Sequence, residues 1–171
     1  MATKKIDRLQ ILTKTYTQTA ANTQIVSQVG TSYSAKDKVG IEISRIEYYP
    51  AAVNFYMEEV AAANEYFYFG LTQLYSAGAA PTLPSRAGVV DWNLIGNFFS
   101  TAVGRELLRL PIIFEPPEPV LVHPASLYAF CQSANLANAI TIYLRMWFRY
   151  VDLTDAEFQE ILQTILIQDT L

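Results

Sequence analysis

The sequence predicts an all-β fold, an antiparallel sandwich or barrel of about eight strands with one short C-terminal helix, in a single domain spanning residues 1–171. Three observations lead there. Apolar and polar residues alternate at a period of two along the longest patterned stretch, 139–152. Runs rich in Thr, Tyr, Phe, Ile and Val are separated by Gly, Pro and Asn. No helical pattern alternates with those runs, which argues against a parallel α/β sheet. A chain of 171 residues is long enough for one hydrophobic core and short for two.

The elements follow in order. Residues 1–5 form a short polar arm, and strands are expected at 6–17, where Thr is frequent, and at 23–30. In 38–49, Val39, Ile41 and Ile43 alternate with Gly40, Glu42 and Ser44. The segment 51–63 follows Pro50, a favoured first-turn residue, and is rich in alanine, yet Val53-Asn54-Phe55-Tyr56 fits a strand equally well. A strand at 65–75 carries Tyr66-Phe67-Tyr68-Phe69, with aromatics on both faces: core within, partner without. Residues 91–99 read as a short helix or packed loop. Further strands are expected at 106–114, 119–123 and 126–132, the first two separated by the rigid Glu115-Pro116-Pro117-Glu118 run. The last strand, 139–152, is the longest.

After it, Thr154-Asp155-Ala156-Glu157 makes a capping box, and Phe158, Ile161, Leu162 and Ile165 recur at helical spacing. The spacing predicts a helix over about 155–167 within a tail at 154–171. This tail either closes the end of the sandwich or docks on a neighbouring subunit.

One face of 139–152 carries Ile140, Ile142, Leu144, Met146, Phe148 and Tyr150, and reads as core. The other carries Thr141, Tyr143, Arg145, Trp147, Arg149 and Val151, mixing cations with aromatics. Such a face suits a subunit interface. The alternative is a solvated face on which Arg145 and Arg149 stack over neighbouring rings.

Composition adds a second clue. Hydrophobic residues make up 51% and charged residues only 16%, against about 25% in soluble domains. A compact monomer of this mass exposes on the order of 8,400 Å², or roughly 300 Å² per charged side chain. Three stretches, 15–35, 66–85 and 119–144, carry no formal charge. Their Thr, Gln, Asn, Gly and Pro content makes them unsuited to crossing a bilayer as plain helices, so no membrane span is expected. They suit packing against another chain. The net charge of −4 argues against non-specific nucleic-acid binding, and no sequence-specific nucleic-acid motif is present. Asp7, Arg8 and Gln10 interrupt any apolar core of a signal peptide, so none is expected.

Chemistry-bearing clusters are sparse. With one His and one Cys, His123 and Cys131, neither a metal site nor a cofactor is expected. Those two residues could in principle form a nucleophile and its base, but Cys131 among apolar neighbours reads as core and His123, ahead of Pro124, as a turn residue. The carboxylate pairs Glu58 with Glu59, Glu115 with Glu118, and Asp152 with Asp155 are a weak signal for an acid–base couple: neighbours at i and i+1 point apart, Asp155 is explained as first-turn helix charge, and Glu115 and Glu118 sit in a proline-rich surface run. The expectation is a protein that is not an enzyme.

The polar arm, the antiparallel strands, the polar connections and the long last strand with its helical tail resemble single jelly-roll coat proteins of small icosahedral viruses. The resemblance implies a jelly-roll sandwich and a structural role in a virion, as a capsid, shell or appendage subunit contacting copies of itself and other structural subunits. The chain departs from many such coats in lacking a strongly basic arm; only Lys4, Lys5, Arg8 and Lys14 fall in its first fifteen residues. The departure implies a genome packaged by another component, or a minor or appendage role. The expected contact residues are Tyr143, Arg145, Trp147 and Arg149, with Phe158, Ile161, Leu162 and Ile165 anchoring the tail. The alternative is a carbohydrate-binding sandwich whose exposed aromatics stack on sugar rings.

Overall fold

The computed structural model describes residues 6–30, 33–34, 37–50, 65–73, 89–97, 112–136 and 138–168. Among the described residues, nine strands and one α-helix follow in chain order: β1 (Ile6–Thr17), β2 (Gln24–Gln28), β3 (Val39–Pro50), β4 (Glu65–Thr72), β5 (Val89–Asn97), β6 (Ile112–Phe114), β7 (Val120–Val122), β8 (Tyr128–Ala134), β9 (Thr141–Asp152) and α1 (Asp155–Gln168). They build two antiparallel sheets. One has the order β1-β9-β3-β6 with β7 also on β3; the other has the order β2-β8-β4-β5.

The pairing is nested. β1 pairs with β9, β2 with β8, β3 with both β6 and β7, and β4 with β5, and successive pairs fall in opposite sheets. The sheets face each other across one core because each strand turns its apolar side inward. In β9, Ile142, Leu144, Met146 and Phe148 are buried while Tyr143 and Arg145 are exposed. They meet Ile41, Ile43, Ile46 and Tyr48 of β3, Phe67, Phe69 and Leu71 of β4, and Ala129 and Cys131 of β8. Each large side chain so buried contributes roughly 1.5–3 kcal/mol.

Polar groups fix the corner where β1 passes to β2 and β8 to β9. The buried Gln18 side chain accepts from the Ile140 amide at 2.9 Å and donates to Ser133 Oγ at 3.0 Å. Asn22, at a φ of 60°, accepts from the Leu136 amide and donates to its carbonyl. These bonds replace backbone partners lost at the turn.

One expectation changes. Residues 91–97 lie in an edge strand, β5, not in a helix or packed loop. Asp and Asn are poor strand formers, but eight residue pairs to β4 impose the extended conformation. Of the expected strand 106–114, the described part is β6; the segment 51–63 and the arm 1–5 lie outside the described residues.

The helix forms where the capping box predicts. Glu157 accepts from the Thr154 amide at 2.8 Å and returns its own amide to Thr154 Oγ1 at 3.3 Å. Phe158 then buries against Val151 and Leu153, with Ile161, Leu162 and Leu121 around them. Gly40 makes room there: a Cβ on it would lie 2.8 Å from Leu121 Cδ1 and 3.0 Å from Leu153 Cδ2. Thus α1 seats on the outer side of the five-stranded sheet, at the end where Val151 would otherwise be exposed. Among the described residues, no helix is long and apolar enough to cross a membrane.

Candidate functional site

Beyond α1, the outer side of the five-stranded sheet is left open by the described residues, and register aligns its residues in rows across β1, β9, β3 and β6. Thr15, Tyr143 and Tyr49 form one row; Thr13, Arg145, Glu47 and Ile113 the next; Ile11, Trp147 and Arg45 the third. Glu42 lies opposite Arg149 and beside Leu121. A bulge at Ser44 sets this alignment: an extra residue between Ile43 and Arg45 brings Arg45 opposite Trp147 while keeping Glu42 opposite Arg149. Ser44 Oγ donates to the Trp147 carbonyl at 3.3 Å across the bulge.

Arg45 and Arg149 on this face are paired with carboxylates of the same chain. Arg45 binds Glu47 at 2.6 Å and Glu115 at 2.5 Å, and Arg149 donates to Glu42. Tyr49 donates its hydroxyl to the second oxygen of Glu47. That hydrogen bond, helped by Arg45 and opposed by burial, holds the Glu47 carboxyl below its ordinary range, and the two carboxylates hold Arg45 above its own. The Arg45 and Arg145 guanidinium carbons lie 5.4 and 5.3 Å from the Trp147 ring centre.

Apolar groups remain exposed around these ion pairs. Leu9 is 59% and Ile11 54% exposed, and Tyr49, Ile113 and Tyr143 are also open to solvent. Leu9, Glu42, Ser44, Pro119 and Arg149 line a recess of about 260 Å³. This is below the roughly 300–1,000 Å³ of small-molecule sites.

The eight residues expected at a subunit interface divide between two places. Tyr143, Arg145, Trp147 and Arg149 share the open face, where Arg149 is bonded to Glu42 and Arg145 lies over the Trp147 ring. Phe158 is buried within its own chain and Ile161 and Leu162 pack beside it, while the Ile165 side chain lies outside the described residues. Leu9, Ile11, Arg45, Glu47 and Ile113 join the face without having been singled out in the sequence. Their signal is faint, because Leu9 and Ile11 belong to a strand apolar on both sides and the partners of Arg45 depend on the bulge.

The remaining chemical candidates are separate. Cys131 sits in the core, its thiol pushed up to about 12 by burial. His123 is buried too, accepting from the Ala125 amide through Nδ1 and facing the Asp37 carbonyl through Nε2, against the Phe158 ring. It caps the short 3-10 turn Pro124–Ser126. Asp155 pairs with Lys38, and Glu58 and Glu59 lie outside the described residues. Among the described residues, no group of three or more His, Cys, Asp or Glu side chains is arranged to hold a metal ion. No protein-family model matches the sequence. Nor does any curated protein match it closely enough to count as a relative.

Proposed function

We propose that this chain is a non-enzymatic structural subunit that self-assembles, as a viral capsid, shell or appendage component. The observation that carries the reading is the open face of the five-stranded sheet: Leu9, Ile11, Tyr49, Ile113 and Tyr143 are exposed around Arg45 and Arg149, which already have carboxylate partners. A face on which most ions are already paired packs against protein while stranding few of them, and stranding is costly when the ion is unpaired. The nested strand order supports the jelly-roll expectation, since two Greek keys wound together pair first strand with last and second with second-last. Jelly rolls also serve lectins, so the fold alone does not decide between shell and sugar binding. Trp147 favours the shell: two guanidiniums already crowd the indole a sugar would stack on.

Light scattering joined to negative-stain imaging tests the reading. Wild type assembles into particles or filaments, with little loss when salt is raised, because the ion pairs close within each subunit. Trp147→Ala hinders assembly and leaves the monomer folded. A collapse of assembly in high salt, or a wild-type chain that stays monomeric and binds a glycan array, overturns it.

A further inference from the structure

We propose that the free edge of β1 pairs antiparallel with the β1 edge of a second copy about a two-fold axis, joining the two five-stranded sheets into one. This rests on the self-assembly reading and names its contact.

The four sheet edges are guarded unequally. Sheet edges template further strands unless they are short, interrupted by proline, or spoiled by a charge pointing inward. The edge opposite β1 is made of β6 and β7, three residues each, with Pro116, Pro117 and Pro119 between them. In the other sheet, β2 has five residues, and β5 turns the buried carboxylate of Asp91 inward, where Asn93 donates to both its oxygens at 3.0 Å. β1 is different. It is twelve residues long, with Leu9 and Ile11 exposed and no proline or charge between Leu9 and Thr13. Lys14 is its one charge beyond Thr13, and the Lys14 Nζ lies near Gly30, 3.4 Å from where a Cβ on that residue would be.

Register shows which backbone groups are free. The Gln18 amide donates to the Ile140 carbonyl at 3.0 Å, continuing the pair Thr17↔Thr141. In an antiparallel ladder such bonded pairs recur every second residue. The N–H and C=O groups of Gln10, Leu12, Lys14 and Tyr16 therefore point at β9, and those of Ile11, Thr13 and Thr15 point away. These outward groups have no partner among the described residues. Ile11 also carries the exposed side chain beside Trp147, so a strand laid there satisfies backbone and covers apolar surface at one position.

A second copy fits by symmetry. With the axis on Leu12 or Thr13, Ile11 and Thr13 fall opposite the matching groups of the other copy, and Lys14 faces Gln10 or Leu12 there, not Arg8. The neutral centre meets itself, and a two-fold closes the contact without leaving a further β1 edge.

Amide hydrogen exchange and sedimentation across a concentration series test the pairing on the full chain. In wild type, the Ile11, Thr13 and Thr15 amides slow by at least about tenfold as the protein associates, while Leu12 and Lys14 are protected at every concentration. Thr13→Pro removes an outward N–H, a place where an edge strand tolerates proline, and abolishes both the slowing and the association. Ile11→Lys does the same while keeping every N–H, and stands in should the proline variant fail to fold. Fast exchange of the outward amides in associated wild type, or undiminished association of both variants, overturns the pairing and leaves the structural reading standing. A wild type monomeric at all concentrations overturns both, and protection that comes only with a different protein overturns the second copy as the occupant.

Discussion

The two outer faces of the sandwich are both rich in aromatics, and they use them in opposite ways. On the four-stranded sheet, Tyr68 stacks on Trp92 at 5.9 Å and lies 6.4 Å from Phe130, and its hydroxyl donates to Gln132. Tyr68 and Phe130 are buried within the chain, with Val26, Tyr66 and Trp92 packed against them. Gly70 lies between Phe130 and Trp92 in the ladder, where a Cβ would come within 2.0 Å of the Asp91 carbonyl oxygen. On the five-stranded sheet the ring of Trp147 is dressed by guanidiniums, and Tyr143 and Tyr49 remain open. Aromatic content alone therefore does not mark an interface. What separates the faces is whether the rings are covered by their own chain.

The sharpest way to break this comparison is Phe130→Ala. If the second face is a satellite core, the substitution costs about 3–5 kcal/mol in denaturant unfolding, as for truncation of a buried aromatic. A cost below about 1 kcal/mol would show that Phe130 is dispensable to the monomer, and would make the two faces alike.

The edge strand β5 offers the next largest effect. Burial raises the Asp91 carboxyl from 3.8 to about 6, against hydrogen bonds that lower it, including those from Asn93. A carboxyl raised on folding is protonated in the native state while still ionised in the unfolded chain, so stability falls as pH rises from about 4 to about 6. The full displacement corresponds to about 3 kcal/mol. Unfolding followed between pH 4 and pH 8 shows that decline in wild type. Asp91→Asn flattens it and is the more stable protein at pH 8; an unchanged slope would place the titration elsewhere.

That strand is also where the sequence is least legible. Asp91, Asn93 and Asn97 disfavour extended backbone, and only the pairing with β4, invisible in a linear pattern, overrides them. β9 and α1 are the reverse case. A strict alternation and a capping box are local signals, and the structure follows them. The open face falls between these extremes. Tyr143, Arg145, Trp147 and Arg149 stand together on alternation alone, but the partners that neutralise them do not. The bulge at Ser44 decides which side chains of β3 meet them, and shifting register by one would turn Glu47 toward the core. Tyr66 and Tyr68 show the converse, because a doublet of aromatics outside the core gave no sign that Tyr68 is covered by its own chain.

Tyr143→Ala gives the smallest effect on the monomer and the closest test of the open face. Tyr143 lies between Thr15 and Tyr49, is more than a third exposed, and takes no part in the ion pairs around Arg45 and Glu47. Truncating such a side chain changes unfolding free energy by no more than about 0.5 kcal/mol. Assembly is where the loss falls, since the ring's apolar surface is covered only when another subunit lies on it. Measured side by side, Phe130→Ala weakens the monomer, and Tyr143→Ala leaves the monomer intact and reduces particle yield. Should Tyr143→Ala instead destabilise the isolated chain by 2 kcal/mol or more, on the order of a core truncation, its ring would already be spent on folding, and the five-stranded face would be as closed as the other.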